Sequence, residues 1–156
     1  MAASAAYIMV AENGLFGYSY GKEGNMAIHQ FVHAGIRLAH ETFGSPDHPP
    51  ILFVHGWMSH RGVWRTTVPA LEDSFRCITL DLTGFGDSDK PPQADYGIPA
   101  QAERVLALAD SLGLDRFRLG GHSMGGQIAL YIASTLAPGR IERLVSIGGV
   151  VTGRLS

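Results

Sequence analysis

A hydroxyl nucleophile is the first chemistry this sequence offers. Gly121-His122-Ser123-Met124-Gly125 places glycine two residues before and two residues after a serine. It follows the apolar residues Phe117 and Leu119 of a predicted strand and opens a predicted amphipathic helix. In so sharp a strand-to-helix turn the central residue is strained, and its side chain is pushed out above the sheet. The positions two residues away must be small, which Gly121 and Gly125 satisfy. The Ser123 hydroxyl then stands at the positive end of the helix, where backbone N–H groups can stabilise an anion. In a chain with 20 glycines the pentapeptide counts only with its structural context.

A serine that attacks a carbonyl needs donors for the oxyanion that forms, and losing one donor costs about 10²–10³ in rate. The backbone N–H of Met124, next to the nucleophile, is one candidate. The second is expected from the loop His55-Gly56-Trp57-Met58, at the carboxyl end of the apolar run Ile51–Val54. Ligands of parallel sheets bind at that edge, and Trp57 N–H is the candidate donor. His55, Gly56, Gly121, His122 and Gly125 are read as supporting residues. His122 adjoins Ser123, but neighbouring side chains in such a turn point in different directions, which argues against it as the base.

The elements that must hold these loops are legible from residue patterning. Ile28–His33 and Ile36–Thr42 alternate around Ala34-Gly35, which reads as a hairpin. The continuous apolar run Ile51–Val54 reads as a central parallel strand buried on both faces. Residues 61–72 read as helical, with Val63, Trp64, Val68 and Leu71 on one side, although Pro69 weakens that reading. Cys77–Leu80 is the next strand, closing on Asp81-Leu82-Thr83-Gly84-Phe85-Gly86-Asp87-Ser88. A polar, proline-rich loop over 90–97 precedes a helix over 99–112, which Gly113 stops. Met124, Ile128, Ile132 and Leu136 repeat every four residues along the helix after Ser123, Pro138-Gly139 ends it, and Ile141–Ile147 is the last strand. Strands alternating with helices imply an α/β fold with a mostly parallel sheet and right-handed crossovers.

Composition narrows the function classes. At 46% hydrophobic and 17% charged, the 156-residue chain can bury a core as one domain. A net charge of −2 gives no reason to expect nucleic acid or an acidic membrane as partner. No apolar run approaches the roughly 20 residues of a membrane span. The single cysteine, Cys77, excludes an internal disulfide framework and fits a reducing, cytoplasmic location; inside a strand it reads as a small buried hydrophobe. Met1–Val10 is apolar but no Lys or Arg precedes it, against a secretory signal. Residues 1–27 read as a flexible or unrelated extension and 28–156 as the functional domain.

Other motifs fall short of the chemistry they suggest. Gly84-Phe85-Gly86 lacks the third glycine of a dinucleotide loop, position 89 being Asp. No phosphate-cradling glycine loop is present, and no cofactor is expected. His29 and His33 are four apart but lie in a strand without the glutamate of a helical zinc motif, so no metal is expected. Asp81 precedes the serine and reads as a loop brace. Trp57, Met58, Trp64 and Phe85 fit an acyl pocket and a core equally well.

Three blocks in this order, His55-Gly56-Trp57, Asp81 to Ser88 and Gly121 to Gly125, make residues 28–156 resemble the N-terminal part of an α/β-hydrolase. The resemblance implies a serine hydrolase that cleaves an ester, or a related acyl or carbon–carbon bond, in a small-molecule substrate. Similar branches that open epoxides or remove halides place Asp at the elbow, where this chain has Ser123. In the family the triad runs Ser, then Asp or Glu, then His. No histidine follows Ser123, and the only later acid, Glu142, starts the last strand at the wrong end of the sheet. Relatives continue with a lid, two more strands and a helix, so a C-terminally truncated fold is expected, lacking the base and acid. Its last strand would offer an unpaired apolar edge for self-association. The other reading is a non-catalytic module or inactive fragment on a reduced hydrolase scaffold.

Overall fold

The structure, a computed structural model, describes residues 27–149. The extension expected over residues 1–27 therefore lies, Ala27 apart, outside the described residues. At the centre is β3 (Pro50–Val54), flanked in parallel by β4 (Arg76–Leu80) and β5 (Phe117–His122). Beyond β5 lies parallel β6 (Ile141–Ile147), and beyond β4 lies antiparallel β2 (Ile36–Phe43), which pairs with β1 (His29–His33). The order is β1-β2-β4-β3-β5-β6, a mixed and mostly parallel sheet.

Side-chain alternation explains why β3 is apolar throughout. Leu52 and Val54 face a core shared with Ile78, Leu80, Leu119 and two helices, α1 (Ile98–Ser111) and α2 (Met124–Tyr131). Ile51 and Phe53 face the opposite, smaller core with Trp64, Val68 and Cys77. The α1 stripe of Ala102, Val105, Leu108 and Ala109 is fully buried, and Gly113 stops the helix at a φ of +69°.

Two segments differ from the sequence expectation. Residues 61–72 form two 3-10 helices, Arg61–Thr66 and Val68–Ala70, in place of one α-helix. Pro69 has no N–H to donate to a continuing helix. Trp64 and Val68 still reach the core, but Val63 is exposed. The helix after Ser123 is α-helical only to Tyr131; Ile132–Leu136 widens into a π turn, with Ala137 N–H donating to Ile132 O at 2.8 Å. The β6 edge carries exposed Val145 and Ile147.

Candidate active site

Ser123 sits at the junction of β5 and α2 with φ 53° and ψ −119°. A non-glycine residue at positive φ is uncommon and costs on the order of 1–3 kcal/mol. Surrounding contacts hold it there. Ser123 N–H donates to Ile147 O at 2.8 Å, and Ser123 O accepts from Gly126 N–H at 2.9 Å. The glycines are required by close approach: a Cβ on Gly121 would overlap Gly125 O, and one on Gly125 would overlap Val54 O and His55 O. The start of α2 is thereby pressed onto the carboxyl end of β3. A Cβ on Gly56 would lie 3.1 Å from both Ser123 Cβ and His122 Nδ1, so the loop after β3 runs directly beside the serine.

That loop is anchored by a histidine whose two ring nitrogens are both engaged. His55 is fully buried; its Nε2 accepts from Leu82 N–H at 3.0 Å, which leaves the proton on Nδ1, 2.7 Å from Gly56 O. Burial lowers its pKa, outweighing the opposing effects of the Gly56 carbonyl and Asp81. A neutral imidazole with both nitrogens committed is a clip between the loops after β3 and β4. It has no lone pair left to take a proton from Ser123.

A second anchor joins Asp81, the expected loop brace, to Arg61, a partner the sequence does not reveal. Asp81 is fully buried, and its carboxylate accepts from Arg61 N–H at 2.6 Å, from Asp87 N–H at 2.8 Å and from the Arg61 guanidinium. Arg61 also binds Glu41 Oε2 at 3.0 Å and Asp87 Oδ2 at 2.9 Å. Burial opposes the charge on Arg61, but Asp81, Asp87 and Glu41 outweigh it and raise the guanidinium above its ordinary pKa. Gly86, at a φ of +51°, leaves the room that the Asp81 carboxylate fills. Ser88 completes the brace, donating to Asp81 O at 2.6 Å and accepting from Ala39 N–H at 2.9 Å. An Arg–Asp contact across 20 residues leaves no periodic signal, and residue 61 read only as the start of a helix.

The structure therefore brings together Ser123, Met124, His55, Gly56, Trp57, Gly121, His122 and Gly125 at one edge of the sheet. The amides of Trp57 and Met124 donate to no backbone carbonyl outside regular secondary structure among the described residues. Asp81 braces the loops, as expected. The four residues read as pocket or core divide: Trp64 is core, Phe85 is half-buried, and Trp57 and Met58 are exposed. Glu142 lies at the opposite edge, ion-paired with Arg118 at 3.1 Å. His29 and His33 lie on β1, and no metal-binding cluster of His, Cys, Asp or Glu occurs among the described residues. Cys77 is buried and its thiol is pushed up to about 11 by burial. No helix among the described residues is long and apolar enough to cross a membrane.

Comparison with known proteins gives a consistent picture. A family model described as the alpha/beta hydrolase fold matches residues 49–155. A soluble epoxide hydrolase of Corynebacterium sp. (strain C12) is 37% identical over 105 residues, covering 67% of this chain and 36% of that protein. An N-formylmaleamate deformylase of Pseudomonas putida is 39% identical over 119 residues, covering 76% of this chain and 44% of that protein. Among solved structures, one described as a membrane phospholipase A and bacterial virulence factor superposes with a TM-score of 0.75 at 36% identity, covering 84% of this chain and 43% of that one. The chain thus spans less than half the length of each of these relatives.

Proposed function

The chain belongs to the α/β-hydrolase fold family, and from that premise we propose that it carries the nucleophile and oxyanion half of a serine hydrolase. The observation that supports this best is Ser123 at φ 53°, between three glycines whose missing side chains let β3, β5 and α2 close around it. In the reaction, Ser123 Oγ attacks the carbonyl carbon of an ester-like small molecule and its proton passes to a base. The oxyanion accepts hydrogen bonds from the amides of Trp57 and Met124, the alcohol leaves, and water releases the acyl group. Since His55 is fully hydrogen-bonded and no histidine follows Ser123, the base and its orienting acid come from outside these 156 residues.

The substrates of the relatives do not transfer directly. Ser123 stands where the epoxide-opening and dehalogenating branches are expected to carry aspartate, which favours the acyl-transfer side of the family. A non-catalytic module is the second reading, favoured by the lack of a histidine after Ser123.

Esterase kinetics separate the two. With p-nitrophenyl butanoate alone, the 156-residue chain is expected to turn over far below the ordinary enzyme range of about 1–10³ per second. Above the rate of imidazole alone with the ester, added imidazole should accelerate nitrophenol release in the wild type and not in Ser123→Ala. Equal acceleration above that rate in both proteins would remove Ser123 from the chemistry, and ordinary turnover without imidazole would show that the chain holds its own base.

A further inference from the structure

Sequence spacing alone couples His29 to His33, four residues further along β1. In a strand four residues span about 13 Å, too far for two imidazoles to share one ion. The fold supplies His29 with a different neighbour. Across the β1–β2 hairpin its directly opposed residue is His40, on the same face of the sheet. Residues opposed in this way hold their Cβ atoms about 4.5–5.5 Å apart. The two rings stand with centroids 5.4 Å apart at a tilt of 33°.

That separation is close to what a shared transition metal requires. A zinc–nitrogen bond is about 2.0–2.1 Å long, and the imidazole centre lies about 1.1 Å behind the nitrogen. Two rings on one tetrahedral ion therefore have centroids about 5.2 Å apart. The strand pairing presents the rings at that span without any movement of the backbone.

The inner and outer histidines differ in a way that suits a ligand site. His40 is 5% exposed, and its Nδ1 is shut from solvent with no hydrogen-bond partner. Buried polar atoms seldom go unpaired, and a cation bound at Nδ1 would give this one a partner. His29 is exposed, so the outer side of the pair is open to solvent and to an incoming ion. No group of three or more His, Cys, Asp or Glu able to hold a metal occurs among the described residues. The chain thus offers two ligands, and water completes the shell. Arg76 is near enough to act on the charge of His40, and a guanidinium repels a cation, so it weakens the site.

We propose that His29 and His40 together bind a divalent first-row transition cation, which fastens β1, the outermost strand of the sheet, to β2. Imidazole nitrogen selects zinc, nickel and copper over magnesium and calcium. The site uses no residue of the candidate active site, so it stands whether or not Ser123 is the nucleophile.

Equilibrium dialysis of the 156-residue chain against Zn²⁺, Cu²⁺ and Mg²⁺ tests the site. Cu²⁺ should bind more tightly than Zn²⁺, and Mg²⁺ should not bind. The chain has seven histidines, so the difference between wild type and His29→Ala isolates this pair. Losing a residue that only supports a ligand costs metal sites about 10–100-fold; His29→Ala, an exposed change, should weaken Zn²⁺ by at least about tenfold. His33→Ala on the same strand should bind as wild type does, and Arg76→Gln should bind more tightly. An ion held by the folded chain alone raises its melting temperature, so Zn²⁺ should raise that of the wild type and not that of His29→Ala. Failure to take up Zn²⁺ or Cu²⁺ would overturn the site. So would Zn²⁺ affinity retained in His29→Ala, an equal loss in His33→Ala, weaker binding in Arg76→Gln, or a melting-temperature rise that His29→Ala shares.

Discussion

The two ends of β3 and β5 use the same strands for different purposes. At the amino ends, the chain enters through ordinary hydrogen-bonded turns. Phe117 N–H donates to Arg140 O at 3.0 Å, Arg140 reaches the Leu114 and Asp115 carbonyls, and Arg116 and Arg118 pair with Glu142. Arg116 is exposed while Arg118, Glu142 and Arg140 are half-buried, and an added Cβ at Gly139 would touch nothing within 4 Å. At the carboxyl ends, Ser123 and Met58 take positive φ, an Arg–Asp pair is buried, and glycines are packed against backbone carbonyls. Regular pairing supplies the stability of the sheet, and the strained edge draws on it. The difference teaches where to look for chemistry: at the edge where the backbone is held against its own preferences.

The comparison can be broken by substitutions matched across the two ends. The largest effect is expected at Gly125→Val, whose Cβ would overlap the Val54 and His55 carbonyls; cooperative unfolding should be lost or weakened by about 4 kcal/mol or more. Gly139→Ala at the other edge should stay within about 0.5 kcal/mol in the same urea titration. An undisturbed Gly125→Val would mean that the elbow is not tight.

Next in size is Arg61→Met, which leaves the fully buried Asp81 without its guanidinium and should cost about 3–5 kcal/mol. Arg116→Ala, at a solvent-exposed pair 3.8 Å long, should cost under about 1 kcal/mol by the same denaturation midpoints. Comparable losses at the two arginines would erase the asymmetry between the edges.

A smaller, pH-dependent effect belongs to His40. Its side chain is buried beside His29, and burial first, then the charges of His29 and Arg76, lower its pKa to about 4. The ring is therefore neutral in the fold and titrates near 6.5 when unfolded. Its stabilising share is complete above pH 6.5 and is lost as the pH falls towards 4, by on the order of 2–3 kcal/mol. His55, also lowered, adds in the same direction. His40→Leu should flatten the fall in melting temperature between pH 7 and pH 4, and an unchanged slope would count against the buried ring.

Much of this fold is written locally. Ile51–Val54, Cys77–Leu80 and the hairpin around Ala34-Gly35 are short runs whose pattern alone places them, and they appear as β3, β4 and the β1–β2 pair. The glycines flanking Ser123 announce a tight turn because no other residue fits. What was not legible depends on partners distant in sequence or on fine backbone geometry. Arg61 is tied to Asp81, Asp87 and Glu41 through space only. The break of residues 61–70 into two 3-10 turns comes at Pro69, whose missing N–H apolar spacing does not record. The exposure of Trp57 beside the burial of Trp64 is likewise a tertiary outcome, since both are tryptophans in apolar company.

The role assigned to Ser123 is tested most directly by locating a covalent adduct. A fluorophosphonate applied to the 156-residue chain with imidazole present, followed by peptide mass spectrometry, reads which hydroxyl has reacted. Phosphonylation confined to the peptide containing Ser123, and absent from Ser123→Ala, is the expected result. Adduct spread over other serines such as Ser59 or Ser134, or retained in Ser123→Ala, would contradict it.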